Sequence, residues 1–430
     1  MKLTIVGTGY VGLVTGTCFA DLGNQVICSD NDEKKIQKLN EGGIPIYEPG
    51  LEELVKKNRE KGRLSFTTDI AQAVRSSDVI FICVGTPPRE DGSADLTGIE
   101  KVSRVVAENM DSYKLIVEKS TVPVETGEWV KSTIETFKKN GSDFDVASNP
   151  EFLREGSAIE DFMSPDRVVI GVESDRAEKL LRELYEPLET RIVVANIKGA
   201  EIIKHASNSF LATKISFINA VSNICDRVGA DINDVAEGIG LDSRINRYFL
   251  KAGIGFGGSC FPKDLKAFIH ISEKMGYSFG MLKEVERINE QQKDIAMKKM
   301  TEMLWNLPEK VIGVWGLSFK PNTDDIRCAP SIDLIKRLLE AGARIKAFDP
   351  VAMDNVRQEL GEAVEYCKSA YEAARDADCV VLMTEWNEFK EIDFSKVKNM
   401  MNQPVMLDGR NVYDPEKMKA MGFKYMGMGR

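Results

Sequence analysis

The feature that constrains the fold most is a βαβ pattern at the start of the chain. Residues 2–6 form a short apolar run typical of a buried strand, and residues 10–22 have the spacing of a helix. A second apolar run at 25–29 ends at Asp30, and apolar runs alternate with helical segments as far as Gly171. Such strands are buried when a parallel sheet is covered by helices on both faces. We therefore predict a doubly wound α/β domain.

The same order of segments recurs near the other end of the chain. After Pro308, an apolar run at 310–316 precedes a helical pattern at 331–340 and a strand that ends at Asp349. Between the two α/β patterns, residues 198–227 predict one long helix with few breakers. The chain is expected to form two Rossmann-like doubly wound domains joined by a helical domain with a long central helix. The predicted bounds are 1–197 for the first domain, 198–300 for the helical domain and 301–430 for the last.

Composition narrows the classes of function. A formal net charge of -10 argues against a nucleic-acid or anionic-membrane partner. No apolar stretch reaches the roughly 18 residues of a membrane span. The eight cysteines lack CxxC spacing, which is typical of reduced, mostly buried thiols in a cytoplasmic protein. Because there are two histidines, no His-based zinc site is expected, and redox chemistry would need an organic cofactor rather than a metal.

The loop between the first strand and the first helix predicts a dinucleotide site. Its sequence, Gly-Thr-Gly-Tyr-Val-Gly at 7–12, fits GxGxxG. Gly7 permits the tight turn, Gly9 lets the backbone approach a pyrophosphate, and Gly12 lets the helix pack on the strand. Asp30 is placed to accept from both ribose hydroxyls and to repel a 2′-phosphate, so NAD is predicted in preference to NADP. The alternative is a structural turn without a ligand.

A second glycine-rich segment, at 253–258, leads directly to Cys260. Lys263 and Asp264 follow, and a helix is predicted to begin there. A thiol beside a lysine at a helix N-terminus has the electropositive setting that favours a nucleophilic thiolate. However, a free cysteine is more commonly a buried packing residue. The local sequence leaves both interpretations open.

Four segments together resemble the UDP-glucose/GDP-mannose dehydrogenase family of nucleotide-sugar dehydrogenases, over essentially the whole chain. They are the glycine loop, Asn-Pro-Glu-Phe-Leu-Arg-Glu-Gly at 149–156, the segment at 257–264, and Phe-Lys-Pro-Asn-Thr-Asp-Asp-Ile-Arg at 319–327. The resemblance implies a first domain that binds NAD, a helical domain that forms a dimer core, and a last domain that binds the uridine diphosphate.

The same resemblance implies a four-electron oxidation of UDP-glucose at C6 to UDP-glucuronate. Hydride transfer to NAD gives the aldehyde, which Cys260 attacks to form a thiohemiacetal. A second NAD oxidises this adduct to a thioester, and water releases the acid. The expected partners are UDP-glucose and further copies of the chain, in a cytoplasmic homodimer or higher homo-oligomer.

The chemistry is expected to rest on a small set of side chains. A developing oxyanion needs a positioned cation or donor. The resemblance implies that Lys204 and Asn208 fill this role. They lie four residues apart on the predicted long helix and project from one face, with Glu201 one turn earlier. Glu151 is a candidate acid/base. The expected catalytic residues are Cys260, Lys204, Asn208, Asp264, Thr121 and Glu151.

Four of these residues also have a purely structural interpretation: Lys204 would be a solvated surface residue, and Glu151 carries the same ambiguity as Asp264. Asp264 matches the family's water-holding carboxylate, but acids at helix N-termini are common without catalysis. Thr121 precedes a Val-Pro pair, where a hydroxyl often serves turn chemistry.

Further residues are expected to contact the ligands by resemblance. Cofactor contacts are expected at Gly7, Gly9, Tyr10, Val11, Gly12, Asp30, Lys35, Thr86, Thr121, Glu155, Lys263 and Arg327. Substrate contacts are expected at Phe152, Leu153, Arg154, Glu155, Lys204, Asn208, Arg244, Phe249, Leu250, Lys251, Ala252, Gly253, Gly257, Lys320 and Arg410. The alternative for Lys35, Arg244 and Arg410 is a solvated surface role.

Rival functions share parts of this pattern. GDP-mannose or another UDP-hexose would be oxidised by the same chemistry, although Ser-Cys-Phe-Pro-Lys-Asp at 259–264 argues against the N-acetylhexosamine branch. A two-electron dehydrogenase of the hydroxyacid type shares the glycine loop and helical spacer but needs no nucleophile. A non-catalytic NAD sensor would leave Cys260 without a purpose.

Overall fold

The computed structural model describes residues 1–89, 91–139 and 141–430, which form two compact units. The first unit comprises 1–207 and 266–276, and the second comprises 208–265 and 277–430. Each unit contains a largely or wholly parallel sheet, so the prediction of two α/β domains with a helical region between them is confirmed. The three domain bounds stay a prediction.

The first unit is built on one sheet. Its strands are β1 (Lys2–Val6), β2 (Gln25–Ser29), β3 (Leu64–Thr67), β4 (Val79–Ile82), β5 (Lys114–Glu118), β6 (Phe144–Ser148), β7 (Val168–Gly171) and β8 (Ile192–Ala195). In the described residues they lie in the order β3-β2-β1-β4-β5-β6-β7-β8. In β4, Val79 and Phe81 face one core while Ile80 and Ile82 face another. The unbroken apolar runs therefore reflect strands buried on both faces.

The last two strands of this sheet, β7 and β8, run in the opposite direction to the other six described strands. β7 pairs with β6 in the antiparallel sense and with β8 in the parallel sense. The chain between β6 and β7 is held at the carboxyl edge of the sheet, where Lys204 bonds to Glu151 and Glu48 bonds to Gly156. The chain consequently enters β7 from that edge and runs in the reverse direction.

Helices cover both faces of the first sheet. They are α1 (Tyr10–Asp21), α2 (Glu33–Asn40), α3 (Leu51–Glu60), α4 (Ile70–Ser76), α5 (Thr97–Asn109), α6 (Thr126–Phe137), α7 (Ala158–Met163) and α8 (Asp175–Tyr185), with a 3-10 turn at Glu186–Leu188. Three of them, α2, α4 and α8, have an N-cap residue whose side chain accepts hydrogen bonds from N–H groups of the first turn. These N-cap residues are Asp32, Asp69 and Ser174. The sequence thus contains local start signals for these helices.

The middle of the chain is helical. It contains α9 (Ile197–Val228), α10 (Ile232–Gly240), α11 (Cys260–Lys274) and α12 (Gly280–Leu304). The long helix expected at 198–227 is α9. No helix in the described ranges has both the length and the apolar character needed to cross a bilayer.

The second sheet repeats the central order of the first. Its strands are β9 (Val311–Trp315), β10 (Arg344–Phe348), β11 (Val364–Tyr366), β12 (Cys379–Leu382), β13 (Val405–Asp408) and β14 (Lys424–Met426), in the order β11-β10-β9-β12-β13-β14 among the described residues. Its helices are α13 (Pro330–Glu340), α14 (Met353–Leu360), α15 (Ala370–Ala374), α16 (Asn387–Lys390), α17 (Phe394–Met400) and α18 (Pro415–Ala420), with a 3-10 turn at Gly361–Ala363. The repeated order explains the sequence similarity between the two ends of the chain.

Candidate active site

The glycine loop leaves the first turn of α1 accessible to a ligand. Gly7 has a φ of +105°, and a Cβ there would lie 2.7 Å from the carbonyl oxygen of Cys83. A Cβ at Gly12 would lie 1.9 Å from the oxygen of Gly7, so neither position admits a side chain. By contrast, no described atom lies within 4 Å of a Cβ built on Gly9. Because Gly9 caps α1 without a side-chain bond, the first-turn N–H groups suit a pyrophosphate.

Asp30 lies at the end of β2, beside this loop. Its Oδ2 accepts from the N–H and the hydroxyl of Thr8 at 2.7 and 2.8 Å, and its Oδ1 accepts from the N–H of Asp32. Burial opposes ionisation, but these hydrogen bonds, with the charge of Lys35, hold the pKa of Asp30 below its ordinary value. The side chain is therefore a carboxylate at neutral pH. In this form it can accept hydrogen bonds from both hydroxyls of a ribose.

Two threonines expected to contact the cofactor meet at the same edge of the sheet. Thr86 follows β4 and Thr121 follows β5, and the hydroxyl of Thr86 donates to the carbonyl oxygen of Thr121 at 2.9 Å. The carboxyl ends of parallel strands are where open α/β sheets bind ligands. The structure thus brings both residues to the edge that also carries the glycine loop.

Glu48 is a residue whose role the sequence pattern did not reveal. Its buried carboxylate accepts from the hydroxyl of Tyr10, from the N–H of Gly156 at 2.6 Å and from the N–H of Ala158 at 2.7 Å. The phenolic oxygen of Tyr10 also accepts from Gly156, at 3.0 Å. Glu48 therefore joins the glycine loop to the segment that carries Glu155. The sequence signal that could have pointed to Glu48 is the Tyr-Glu-Pro-Gly run at 47–50, in which proline and glycine indicate a turn of defined conformation.

Lys204 and Glu151 form a buried ion pair. The Lys204 ammonium donates to Oε1 of Glu151 at 2.9 Å and to its backbone oxygen at 2.7 Å. The side chains are both 5% exposed. The Glu151 carboxylate also accepts from the N–H of Leu153 at 2.6 Å. The predicted helical lysine is thus a buried cation with a defined acid beside it, rather than a solvated surface residue.

Two arginines flank Glu151 in different ways. The guanidinium of Arg154 is exposed and pairs with both carboxylate oxygens of Asp161, at 2.5 and 3.0 Å. Arg167, which the sequence pattern did not single out, lies 3.7 Å above the ring of Phe152. Arg154 therefore has its own carboxylate partner, whereas Arg167 and Lys204 both lie over the ring of Phe152.

Cys260 is the first residue of α11, as expected for a thiol at a helix N-terminus. It is half-exposed, and its Sγ lies 3.6 Å from the hydroxyl of Ser259. Burial raises the pKa of Cys18 and of Cys83 to about 12, so those thiols are inert packing groups. Cys328 is also exposed, unlike the mostly buried thiols that the sequence suggested. Cys260 and Cys328 are consequently the two accessible thiols among the described residues.

Asp264 lies one helical turn after Cys260 and is buried. Its Oδ2 accepts from the amide of Asn208 at 2.6 Å, and its Oδ1 lies 2.7 Å from the ammonium of Lys263. Asn208 and Asp264, both predicted to be catalytic, are thus brought together. Lys263, predicted to contact the cofactor, has an ion-pair partner in Asp264.

The glycines before Cys260 pack against backbone and side chains of the same unit. A Cβ at any of four positions would meet another atom at 2.4–2.8 Å. The contacts are Gly253 with Gly409, Gly255 with Asn289, Gly257 with Cys328 and Gly258 with Phe319. The segment is therefore glycine-rich because it fits closely against its own scaffold. The ring of Phe261 packs tilted against Phe249 and edge-on against Phe256.

Arg410 braces this glycine segment. Its guanidinium donates to the carbonyl oxygens of Met383 at 2.6 Å, Gly255 at 3.2 Å and Phe319 at 3.3 Å. Arg410 is therefore half-buried and bonded, which differs from the surface alternative. Its predicted contact with the uridine end stays a prediction.

The other substrate residues expected in the second unit differ in exposure. The side chains of Leu250 and Ala252 are buried in an apolar core, so only their backbone groups could meet a ligand. Lys251 is exposed, and the Arg244 side chain is 86% exposed and pairs with Asp242. A substrate role for Arg244 therefore receives no support from contacts within the unit.

Lys320 and Arg327 follow β9 in one loop. The Lys320 ammonium lies 5.5 Å from the ring centroid of Phe319. Arg327 makes two hydrogen bonds to Asp325, at 2.7 and 2.8 Å, and its side chain is 64% exposed. Neither the described residues of this loop nor those of the rest of the chain form a cluster of three or more potential metal ligands.

Comparison with known families agrees with this architecture. Three models of the UDP-glucose/GDP-mannose dehydrogenase family match the chain. They describe the NAD binding domain at 1–189, the central domain at 198–291 and the UDP binding domain at 313–415.

Individual relatives match over the whole length. UDP-glucose 6-dehydrogenase TuaD of Bacillus subtilis (strain 168) is 50% identical, over 100% of this chain and 93% of that protein. UDP-glucose 6-dehydrogenase of Rhizobium meliloti (strain 1021) is 46% identical, over 100% of both chains. The solved structure of a UDP-glucose dehydrogenase from Pyrobaculum islandicum has a TM-score of 0.94 at 41% identity and covers 99% of this chain and 97% of its own. This chain belongs to the UDP-glucose/GDP-mannose dehydrogenase family.

Proposed function

We propose that this chain is an NAD-dependent dehydrogenase that oxidises C6 of UDP-glucose in two steps to UDP-glucuronate. The observation that carries the proposal is the half-exposed thiol of Cys260 at the start of α11, with Asp264 held one turn later by Asn208. A two-electron dehydrogenase has no use for that arrangement. Identities of 50% and 46% to proteins named UDP-glucose 6-dehydrogenase support the same substrate.

The first unit has the groups that an NAD molecule needs. The open first turn of α1 at Gly9 suits the pyrophosphate, and the ionised Asp30 suits the ribose diol. Bound there, NAD supplies the hydride acceptor for both oxidations. Thr86, Thr121 and the other cofactor residues inferred from the family complete the proposed site.

Cys260 supplies the chemistry that takes the oxidation beyond the aldehyde. Its thiolate attacks C6 of the aldehyde, a C–S bond forms, and the carbonyl oxygen becomes an alkoxide that takes up a proton. Loss of hydride and proton from this thiohemiacetal gives a thioester. Water then attacks C6, the C–S bond breaks, and the thiolate leaves. In balance, one alcohol, two NAD and one water give one carboxylate, two NADH and three protons.

The other catalytic residues that the family resemblance implies have complementary roles in this proposal. Lys204 stabilises the oxyanion, and Glu151, its ion-pair partner, moves the proton. Asn208 and Asp264 hold the hydrolytic water one helical turn from the thiol. Lys320 and Arg410 are assigned to the uridine diphosphate in the proposed domain 301–430. The proposed domain 1–197 is assigned to NAD binding, and the proposed domain 198–300 is assigned to contact between subunits.

The proposed assembly is a homodimer formed through α9. Phe210, Phe217, Ile224 and Val228 are exposed on this helix at spacings of 7, 7 and 4 residues, so they form one apolar stripe. A second copy of the same stripe would bury it. We place the enzyme in the cytoplasm, because none of the eight cysteines, which all lie in the described ranges, forms a disulfide.

The test is NADH stoichiometry. UDP-glucose should yield two NADH per sugar, and C260S should complete at most one oxidation, with steady-state turnover reduced about 100-fold or more. C328S changes the other accessible thiol and should behave like the unmodified enzyme. Turnover of GDP-mannose in place of UDP-glucose, or full turnover by C260S, would contradict the proposal.

A further inference from the structure

The turn between β5 and α6 is tied on one side to the end of β4. This turn carries Thr121, which the family resemblance assigns to the cofactor and to catalysis. The hydroxyl of Thr86 donates to the carbonyl oxygen of Thr121 at 2.9 Å. The hydroxyl of Ser120 donates to the carbonyl oxygen of Val84 at 2.7 Å, and its N–H donates to that of Ile82 at 3.3 Å. The backbone at Ser120 and Thr121 is therefore fixed to the chain that follows β4.

On its other side, the turn is held by a buried histidine of α9. His205 is 1% exposed, and its Nε2 lies 2.7 Å from the carbonyl oxygen of Val122. A carbonyl oxygen can only accept, so Nε2 carries the proton of this hydrogen bond. The imidazole also stacks on the ring of Phe268 of α11, with the ring centroids 5.7 Å apart and the planes at 26°. The ring of His205 is therefore fixed in orientation as well as in position.

The peptide unit between Val122 and Pro123 has a single group for hydrogen bonding. Because proline lacks an N–H, that group is the carbonyl of Val122. Val122 is 3% exposed, and a buried carbonyl group needs a donor. His205 supplies one. Without the imidazole, the peptide unit one residue after Thr121 would lose this anchor.

Glu201 holds the far end of the same turn. It lies one helical turn before His205, on the same side of α9. Its Oε2 and Oε1 accept from the N–H groups of Glu125 and Gly127, each at 2.9 Å. A Cβ on Gly127 would lie 2.5 Å from Cγ2 of Ile197, so α6 packs directly on α9. One side of α9 thus holds the start of α6 as well as the middle of the turn.

We propose that His205 is a positioning residue for the oxidation, which holds the Thr121 side chain in place through the carbonyl group of Val122. This inference rests on the proposed function, in which Thr121 belongs to the cofactor site and is an expected catalytic residue. A displacement of about 1 Å at a reacting group can lower a rate about 100-fold. Thr86 still holds Thr121 when His205 is replaced, so we expect a smaller displacement and a smaller loss.

The experiment is a double-mutant cycle between positions 205 and 121. H205F removes the donor and keeps an aromatic ring against Phe268, whereas H205Q keeps an N–H donor near the place of Nε2. NADH formation from UDP-glucose is measured with the full chain, with kcat and both KM values for each variant. We expect H205F to lower kcat about fivefold or more, with the KM for UDP-glucose little changed. H205Q should recover most of the lost kcat.

The cycle separates positioning from a purely structural role. If His205 acts through Thr121, T121A should lower kcat at least as much as H205F does, and T121A/H205F should be no slower than T121A. A structural role would lower the amount of folded enzyme, so H205F would reduce kcat by the same factor in both backgrounds.

H270F is the matched control. His270 is the other histidine of the chain and lies on α11. H270F should keep the kcat of the unmodified enzyme. If H205F lacks a cooperative thermal transition, H205M replaces it, because the flexible methionine side chain can fill the space without adding a donor.

A normal kcat in H205F, an equal factor in the two backgrounds, or a loss in H205Q as large as that in H205F would overturn the inference. T121A separates this from failure of the proposed function. If T121A is impaired while H205F turns over normally, only the inference about His205 fails. If T121A itself turns over normally, the catalytic role expected of Thr121 fails, and the inference fails with it.

Discussion

Asp30 and Asp349 each follow the second strand of a sheet, but their carboxylates have different partners. Asp349 is fully buried, and its oxygens accept from the N–H groups of Leu317 and Ser318, from the indole of Trp386 and from two further N–H groups. Asp30 accepts from Thr8 and Asp32 beside the open turn at the start of α1. The same residue type therefore stabilises a loop in one domain and is available to a ligand in the other.

The first prediction concerns these two acids. D30A should raise the KM for NAD about tenfold or more, because the ribose diol of NAD loses its hydrogen-bond acceptor. It should also improve the relative use of NADP, because the carboxylate that repels the 2′-phosphate is removed. D349A should instead lower the melting temperature, because several buried donors lose their acceptor, with little change in the KM for NAD. Initial rates and thermal unfolding distinguish the two. Equal effects of D30A and D349A on KM would contradict the assignment.

A second prediction concerns Glu118, a fully buried acid at the end of β5. Neither of its carboxyl oxygens has a hydrogen-bond partner among the described residues. Burial, with the nearby charge of Glu201, raises its pKa well above the ordinary value, and burial raises the pKa of Glu201 to about 7. The folded state therefore binds more protons than the unfolded state above the ordinary carboxyl pKa, and these groups make stability fall as pH rises through 7.

Replacement of Glu118 by methionine should remove most of this penalty. We expect E118M to raise the melting temperature at pH 8.5 by about 2 °C or more, with a smaller gain at pH 5.5. Differential scanning calorimetry at both pH values measures the effect. E52M, which changes an exposed acid on α3, should show no such pH-dependent gain. A lower melting temperature for E118M at pH 8.5 would show that the buried acid is stabilising.

At the scale of elements, α9 combines two functions in one helix. Its buried positions include Lys204 and Asn208, and its exposed positions carry the apolar stripe of Phe210, Phe217 and Ile224. Because a helix turns about 100° per residue, residues three or four apart share a face and different faces can serve separate purposes. The residues assigned to the chemistry and those assigned to the proposed subunit contact therefore lie on different faces of one helix.

The third prediction tests the stripe. F217D places a charge in its centre and should convert the dimer to monomer, because burying an unpaired carboxylate is costly. Size-exclusion chromatography with light scattering reports the mass. W305D, a change at a more exposed aromatic residue at the end of α12, should leave the assembly intact. A monomeric starting protein, or a dimer that survives F217D, would contradict the proposed interface.

The fourth prediction concerns the segment between β6 and β7. E48Q replaces one of the two acceptor oxygens with an NH₂ group, which faces the N–H donor of either Gly156 or Ala158. Hydrogen exchange of peptides covering 153–163 should therefore become faster, and kcat/KM should fall. E41Q, an exposed change in the same region, should leave exchange in this segment unaltered. Unchanged exchange in E48Q would mean that other contacts hold the segment.

At the scale of the whole molecule, each sheet has its own cores. The first sheet is packed by two clusters of apolar residues within 1–207, and the second by two clusters within the second unit. A ligand of one sheet should therefore stabilise mainly that sheet. The central strand orders of the two sheets are the same. The proposed preference of one domain for NAD and of the other for the uridine diphosphate must therefore come from the loops.

The fifth prediction follows from this division. Saturating NAD alone should slow hydrogen exchange mainly around the glycine loop and the end of β2, because binding suppresses local opening. Saturating UDP alone should slow exchange mainly in the loops of 301–430. Mass spectrometry of peptic peptides compares the two conditions. Protection of the first sheet by UDP would contradict the proposed division of ligands.

Several elements were predictable because their signals are local. The start of the chain as strand, glycine turn and helix follows from apolar spacing and from turns that only glycine tolerates, and α9 follows from a long run without breakers. The placement of Cys260 at a helix N-terminus was likewise a local inference. By contrast, the family resemblance, rather than periodicity, singled out Lys204 and Asp264.

The sequence by itself determined the two α/β domains, the long helix, the dinucleotide loop and the position of the thiol, because each depends on residues a few places apart. Only the tertiary structure decided that Glu48 joins Tyr10 to Gly156, that Lys119 anchors Asn149 and that Arg410 braces Gly255. These contacts join residues from 30 to 155 positions apart. A buried charge gives no periodic signal in the chain, and its partner is set by which strand ends and loops the fold brings to one edge.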